Sequence, residues 1–205
     1  STAACSSDKP TSASTSTTLP GAIPDDLKQP YLRSLFVNHQ SKGARFQAVY
    51  PEQAMQLEGY VDWSTGSGYA AVVIDSKASG FAAWDENTLY ASDDGSQWDA
   101  VDPAVASEQS VRGVLYRLFG VVSTSAAKQP GNEALDLDTV VYAGPQDING
   151  LTYQSFKLSA VLTLFVDESG HAARVFFSEP AIPATVTLQF VEFKDTSSEV
   201  TKFFS

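Results

Sequence analysis

Cysteine is almost absent from this chain, since Cys5 is the single one in 205 residues. A lone cysteine excludes an intramolecular disulfide and leaves no set of thiolates for a structural metal site. The two histidines, His39 and His171, are far apart in the sequence and form no His-Glu-x-x-His motif. The sequence therefore predicts no metal site and no other cofactor.

Basic residues are also scarce. The chain has 13 Lys and Arg against 24 Asp and Glu, a formal net charge of −11 at pH 7. Such a surface repels phosphate backbones and anionic lipid headgroups, so we expect no nucleic-acid partner and no membrane attachment through basic residues. No apolar run approaches the roughly 20 residues needed to span a bilayer.

Motifs of catalysis are missing as well. The sequence Gly66-Ser67-Gly68 is a turn and lacks the G-x-S-x-G spacing of a nucleophile elbow, and no glycine-rich loop opens a helix to bind phosphate. Asp93-Asp94 and the pair Asp136 and Asp138 are expected to be acidic turn residues, because no twelve-residue calcium loop surrounds them. We therefore expect no enzymatic activity.

The chain has three tryptophans, Trp63, Trp84 and Trp98. Their rings could stack on a sugar, but packing in the core is the favoured prediction.

The surroundings of Cys5 are informative. The run Thr2-Ala3-Ala4-Cys5 resembles the end of a bacterial lipobox, in which small residues precede a cysteine that becomes lipidated. Thr2 stands where that pattern usually has leucine or valine. The resemblance implies a lipid anchor at Cys5, and the alternative is a free thiol on a polar tail.

A polar linker follows this cysteine. Residues 6–23 include nine serines and threonines and almost no large apolar side chain. Such a segment cannot bury enough surface to offset the entropy cost of ordering it. We therefore expect residues 1–23 to hold the lipidation site and a disordered tether, and residues 24–205 to form a single domain.

Two helices are predicted in the domain. The first covers residues 24–39 and has acidic Asp25 and Asp26 at its N-terminus, with Pro30 expected in its first turn. The second covers residues 104–123, where apolar residues recur at helical spacing: Val111, Val114, Leu115, Leu118, Phe119 and Val122.

The remaining pattern predicts an antiparallel meander. From Ala44 onward the hydrophobic period is two, and turn signals such as Asn149-Gly150 and Ser169-Gly170 separate short strands. The predicted strands span residues 57–63, 69–74, 81–84, 88–91, 139–143, 151–158, 161–166, 172–178 and 185–193. The fold class is therefore α+β.

Several strands are apolar on both faces, at residues 72–74, 162–166 and 175–177. A half-exposed sheet would alternate strictly, so something must cover its second face. Helices can cover only part of a large sheet, and the remainder would be an apolar concavity open to a ligand. Alternatively, helices and loops fill it completely.

Three segments resemble those of a known group. Residues 87–98 resemble its strand–turn–Trp element, and residues 148–153 resemble its "ING-x-T" strand start. Residues 164–175 resemble its penultimate hairpin. The group is the LppX/LprG-like actinobacterial cell-envelope lipoproteins. That group is similar to the LolA/LolB carriers. The resemblance implies a strongly curved antiparallel half-barrel with helices against its concave face and acyl chains of a lipid or lipoprotein in the cavity between them. It implies no catalytic residues.

The predicted cavity lies between the central helix and the sheet. Its expected lining is Leu57, Val61, Trp63, Val73 and Phe81 from the sheet, with Val111, Val114, Leu115, Leu118, Phe119 and Val122 from the helix. Because a real cleft admits water, Leu118→Asp is expected to fold but not to bind lipid.

Two functions follow from these observations. The first is a membrane-anchored extracytoplasmic lipoprotein of the bacterial cell envelope that binds acyl chains for transport or sensing. The second is a non-enzymatic extracytoplasmic module with a filled core, whose acidic surface binds an envelope protein partner. The volume of the cavity distinguishes them.

Overall fold

The computed structural model describes residues 21–128, 139–179 and 184–204. Cys5, the tether as far as Pro20, and the predicted turn residues Asp136 and Asp138 lie outside these ranges. Within them the chain is α+β, with one antiparallel sheet of eleven strands and three α-helices.

The helices are α1 (Asp25–Gln40), α2 (Val111–Thr124) and α3 (Ser197–Phe204), and two 3-10 turns span Pro51–Gln53 and Pro103–Ser107. The strands are β1 (Gly43–Tyr50), β2 (Met55–Asp62), β3 (Ser67–Ile74), β4 (Lys77–Trp84), β5 (Leu89–Ser92), β6 (Asp99–Ala100), β7 (Val141–Ile148), β8 (Leu151–Lys157), β9 (Leu162–Val166), β10 (Ala172–Glu179) and β11 (Ala184–Phe193).

The sheet consists of two antiparallel meanders joined at its centre. Its order is β6-β5-β4-β3-β2-β1-β11-β10-β9-β8-β7, so each meander follows chain order and β1 pairs with β11. In the central register Ala48 lies between Leu57 of β2 and Leu188 of β11. Strands β6 and β7 are the two edges, and the sheet is not closed into a barrel within the described residues.

The two faces of this sheet are covered by different helices. Directly paired residues share a face, so the buried residues Ala48, Leu57 and Leu188 mark one face, which we call the helix face. Helices α1 and α2 pack there. Helix α3, which the sequence pattern did not predict, packs on the opposite, outer face, where Phe203 stacks on Tyr69 at 4.2 Å.

Helix α1 follows the predicted helix closely, although Pro30 lies beyond the predicted first turn, as the sixth residue of the helix. The Tyr31 ring lies 4.6 Å from that of Phe156 on the helix face, and burial raises the pKa of Tyr31 to about 12.

The packed part of the chain begins before the predicted boundary at residue 24. Ile23 is buried in the core, and the carbonyl of Gly21 accepts a hydrogen bond from the backbone N–H of Tyr142 at 3.0 Å.

Helix α2 begins seven residues later than the pattern predicted. The Ser110 hydroxyl accepts a hydrogen bond from the backbone N–H of Gly113 at 3.1 Å and caps the helix, while Glu108 is extended. The preceding residues form the separate 3-10 turn Pro103–Ser107. Val111 is therefore the first residue of α2, and it is 36% exposed.

Candidate ligand-binding site

The predicted cavity between α2 and the sheet is almost completely filled. Its volume is about 10 Å³, which is close to the smallest space that holds one water molecule. The residues around it are apolar: Phe46, Leu57, Ala70, Ala82, Trp84, Leu89, Leu115, Leu118, Phe119 and Val122. An acyl chain does not fit there unless α2 and the sheet move apart.

Eight of the eleven residues predicted to line this cavity belong to one core, and five of them line the cavity itself. Leu57, Leu115, Leu118, Phe119 and Val122 surround it. Val61, Trp63 and Val114 belong to the same core but do not line the cavity. Val111 is wrongly assigned to the lining, because as the first residue of α2 it lies at the surface.

Two further predicted residues, Val73 and Phe81, lie on the wrong face. Leu57 pairs with Val72, so the next residue, Val73, points to the outer face. Phe81 is also on the outer face, where its ring lies 6.3 Å from that of Phe203. Because residues 72–74 are apolar throughout, alternation alone could not assign them to a face.

Hydrogen bonds fix the C-terminal end of α2. The Trp63 indole N–H donates to the carbonyl of Val122 at 3.1 Å. The Asn38 side-chain amide of α1 donates to the carbonyls of Ser125 at 2.8 Å and Ala172 at 3.0 Å. These bonds connect the end of α2 to the residue after β2 and to α1, and they connect α1 to β10, so this end of α2 is held against the sheet.

Trp84, which the predicted lining did not include, fills much of the space beneath α2. Its ring lies 6.0 Å from those of Phe46 and Phe119. The ring covers Gly68 on β3, and a Cβ there would overlap the indole, so only glycine fits. The Trp84 indole N–H is buried and has no hydrogen-bond partner among the described residues.

A much larger space lies at the other end of the helix face, between α1 and the β8–β9 part of the sheet. This α1 groove has a volume of about 460 Å³. Its apolar lining comes from both sides: Leu27, Pro30 and Val37 on α1, and Phe156 and Val166 on the sheet. Phe156 and Val166 are 1% and 2% exposed, so the apolar surface that a ligand can contact there comes mainly from α1.

Polar residues form the rim of the α1 groove. Arg33 is contributed by α1, and Asp167 and Glu168 by the turn between β9 and β10. Burial opposes ionisation of Asp167, but hydrogen bonds from the side chain and backbone of His171 outweigh it and lower the pKa of the carboxyl. Asp167 is therefore ionised at neutral pH, so this side of the rim is negatively charged.

Among the described residues, no helix combines the length and the apolar character that spanning a bilayer requires. No cluster of three or more His, Cys, Asp or Glu side chains with the arrangement to hold a metal ion occurs among the same residues.

No protein-family model and no curated protein matches this sequence. In structure the chain is similar to the lipoprotein LppX of Mycobacterium tuberculosis, with a TM-score of 0.48 and 9% identity over 81% of this chain and 94% of that one. It is similar to an uncharacterised conserved protein from Thermus thermophilus, with a TM-score of 0.45 and 12% identity over 84% of this chain and 91% of that one. A putative outer membrane lipoprotein-sorting protein domain from Vibrio parahaemolyticus has a TM-score of 0.33 and 7% identity over 86% of this chain and 96% of that one.

LppX, whose group three segments of the sequence resemble, is thus among the structures to which this chain is similar. The identities are 12% or lower and the TM-scores 0.48 or lower, so these likenesses assign no function to this chain.

Proposed function

We propose that this chain is an extracytoplasmic lipoprotein that binds an acyl chain in the α1 groove, with a sheet that curves as a half-barrel around the ligand. The observation that carries the proposal is the contrast in volume on the helix face. The α1 groove has about 460 Å³ of space and the cavity under α2 about 10 Å³. The proposed site is therefore under α1 and not under α2, and its role is binding without catalysis.

The groove lining supports an apolar ligand. Leu27 and Val37 present half-buried side chains without polar atoms, and the buried Phe156 and Val166 lie at the base of the groove. Transfer of an acyl chain from water gains about 0.8 kcal/mol per buried CH₂, so a chain of about a dozen carbons binds without a polar contact.

The charged residues at the rim of the α1 groove limit which lipid headgroups can bind there. The carboxylates of Asp167 and Glu168 repel an anionic group at one side of the groove, and the Arg33 guanidinium attracts one at the other. A neutral acylglycerol avoids this repulsion, whereas a free fatty acid must keep its carboxylate near Arg33. Probes with a neutral headgroup are accordingly the better choice for a binding assay.

Leu27→Asp is expected to weaken binding of a fluorescent diacylglycerol by about a hundredfold, because an unpaired carboxylate in the groove costs several kcal/mol when an acyl chain covers it. Leu27 lies in the first turn of α1, where a negative charge is favourable, so folding is retained. Fluorescence titration of delipidated protein measures the affinity, and circular dichroism monitors the fold.

Leu32→Asp is the matched control. Leu32 is also a half-buried leucine of α1 packed against the core, but it does not line the groove. We expect it to bind the probe as wild type does. Equal loss in both variants would remove the α1 groove as the site, and no binding by well-folded wild type would end the carrier proposal altogether.

The proposed anchor is a lipid on Cys5, carried by a tether that includes residues 6–20. Cys5→Ser removes the acylated sulfur, so we expect the full-length precursor to move from the membrane fraction to the soluble fraction of its bacterial host. Fractionation followed by immunoblotting measures this change, with Ser6→Ala as the control. A Cys5→Ser protein that still sediments with membranes contradicts lipid anchoring at this residue.

A second function has one observation in its favour. The cavity of about 10 Å³ under α2 is the filled interior expected of an envelope interaction module. In this case the acidic surface binds a protein partner, and the α1 groove holds no lipid. Absence of acyl-chain binding in the titration above, with the fold intact, selects this function.

A further inference from the structure

A second apolar space lies on the outer face, far from the α1 groove. It is formed by α3 together with β3, β4 and β5 and has a volume of about 470 Å³. Four aromatic side chains line it, Tyr90, Trp98, Phe203 and Phe204, together with the carboxylate of Asp85. We call this space the aromatic cleft.

The rings of Trp98 and Phe204 each stand nearly at right angles to the ring of Phe203. Phe203 is fixed by its stack on Tyr69, with ring centroids 4.2 Å apart and planes 4° apart. The ring of Trp98 makes an angle of 80° with that of Phe203 at 5.4 Å, and the ring of Phe204 makes 85° at 5.6 Å. The rings of Trp98 and Phe204 are therefore both steeply inclined to the ring of Phe203. The side chain of Phe204 is 52% exposed to solvent.

The carboxylate at the cleft is held in place by neighbouring donors. Asp85 Oδ1 accepts hydrogen bonds from the backbone N–H groups of Asn87 at 3.2 Å and Thr88 at 3.0 Å. Its Oδ2 accepts from the Tyr90 hydroxyl at 3.4 Å. Among the described residues that line the cleft, Asp85 is the one charged side chain, so no lysine or arginine of the lining neutralises it.

We propose that the aromatic cleft binds an organic cation of the trimethylammonium type. The faces of aromatic rings carry partial negative charge, so several rings around one space attract a cation that is too weakly hydrated to remain in water. A fixed carboxylate and a chain of net charge −11 add to this attraction. The outer face already contains such a contact, since Lys194 Nζ lies 5.7 Å from the centroid of the Tyr60 ring.

The proposal is independent of acyl-chain binding, because the aromatic cleft and the α1 groove share no residue and lie on opposite faces. Its test is titration of the protein with tetramethylammonium chloride, followed through the indole N–H resonance of Trp98. We expect saturable binding that weakens at high ionic strength. Neopentyl alcohol is an uncharged analogue in which carbon replaces the quaternary nitrogen and one methyl group carries a hydroxyl, and we expect it to bind at least about tenfold more weakly.

Two variants distinguish the contribution of the carboxylate charge to binding from that of the aromatic rings. Asp85→Asn keeps the acceptor oxygen for Asn87 and Thr88 but removes the charge, and Phe204→Leu removes an exposed wall. Each is expected to weaken tetramethylammonium binding by about fivefold to tenfold. Phe176→Leu is the matched control, because Phe176 is an exposed phenylalanine of β10 on the same face but outside the cleft, and we expect no effect.

The source of the cation is distinguished by comparing soluble phosphocholine with vesicles of phosphatidylcholine. Binding of phosphocholine alone supports a free small molecule, and binding of both supports a lipid headgroup. Equal affinity for tetramethylammonium and neopentyl alcohol, or wild-type affinity in Asp85→Asn and Phe204→Leu, overturns the proposal.

Discussion

Leu118→Asp is expected to unfold the protein or to cost at least about 4 kcal/mol of its free energy of unfolding. Leu118 is 3% exposed and faces a cavity of about 10 Å³ whose lining is entirely apolar. Neither water nor a partner can reach the new carboxylate. Urea unfolding followed by circular dichroism measures the loss, and the result differs from the sequence expectation, in which an open cleft tolerated the charge.

Val111→Asp is the control on the same helix. Val111 is exposed at the first position of α2, where a carboxylate interacts favourably with the helix dipole, so a change within about 0.5 kcal/mol is expected. If Leu118→Asp unfolds at the same urea concentration as Val111→Asp, the interior under α2 is open to water, and the cavity is larger than the structure describes.

Asn38→Ala is expected to destabilise the protein by about 2–3 kcal/mol. Asn38 is completely buried, and its amide donates to the carbonyls of Ser125 and Ala172. The substitution leaves both carbonyls without this donor and separates α1 from the end of α2. Thermal and urea unfolding measure the change in stability.

The matched change for Asn38 is Gln40→Ala, an exposed residue in the last turn of the same helix. We expect this variant to have the same unfolding midpoint as wild type, since only solvent contacts are lost. A similar midpoint for the two variants means that the Asn38 bridge contributes nothing to stability beyond helix propensity.

The sequence was most informative where one period dominated a long segment. The apolar stripe of α2 predicted both the helix and the side that it buries, because Leu115, Leu118 and Val122 recur at helical spacing. The N-terminal end of α2 was misplaced because the cap at Ser110 is local and short. Helix α3 was not predicted, since its eight residues contain few apolar positions and its packing depends on distant Tyr69.

The site was less predictable than the elements. Alternation cannot choose a face for Val73 in a strand apolar on both sides, and only its pairing with Gln56 of β2 decides it. The volume under α2 depends on how Trp84 packs against Gly68, a contact between strands. The α1 groove depends on where α1 lies relative to Phe156, and no local pattern in the sequence encodes that distance.

The order of strands in the sheet also has a consequence for the folding rate. Every strand pairing of the described sheet joins neighbours in the chain except that of β1 with β11. The hairpins of both meanders close short loops, whereas this one pairing must close a loop that includes nearly the whole domain. We infer that β1 and β11 meet late, after each meander has formed, so substitutions at their contact, such as Ala48 against Leu188, accelerate unfolding more than they slow folding.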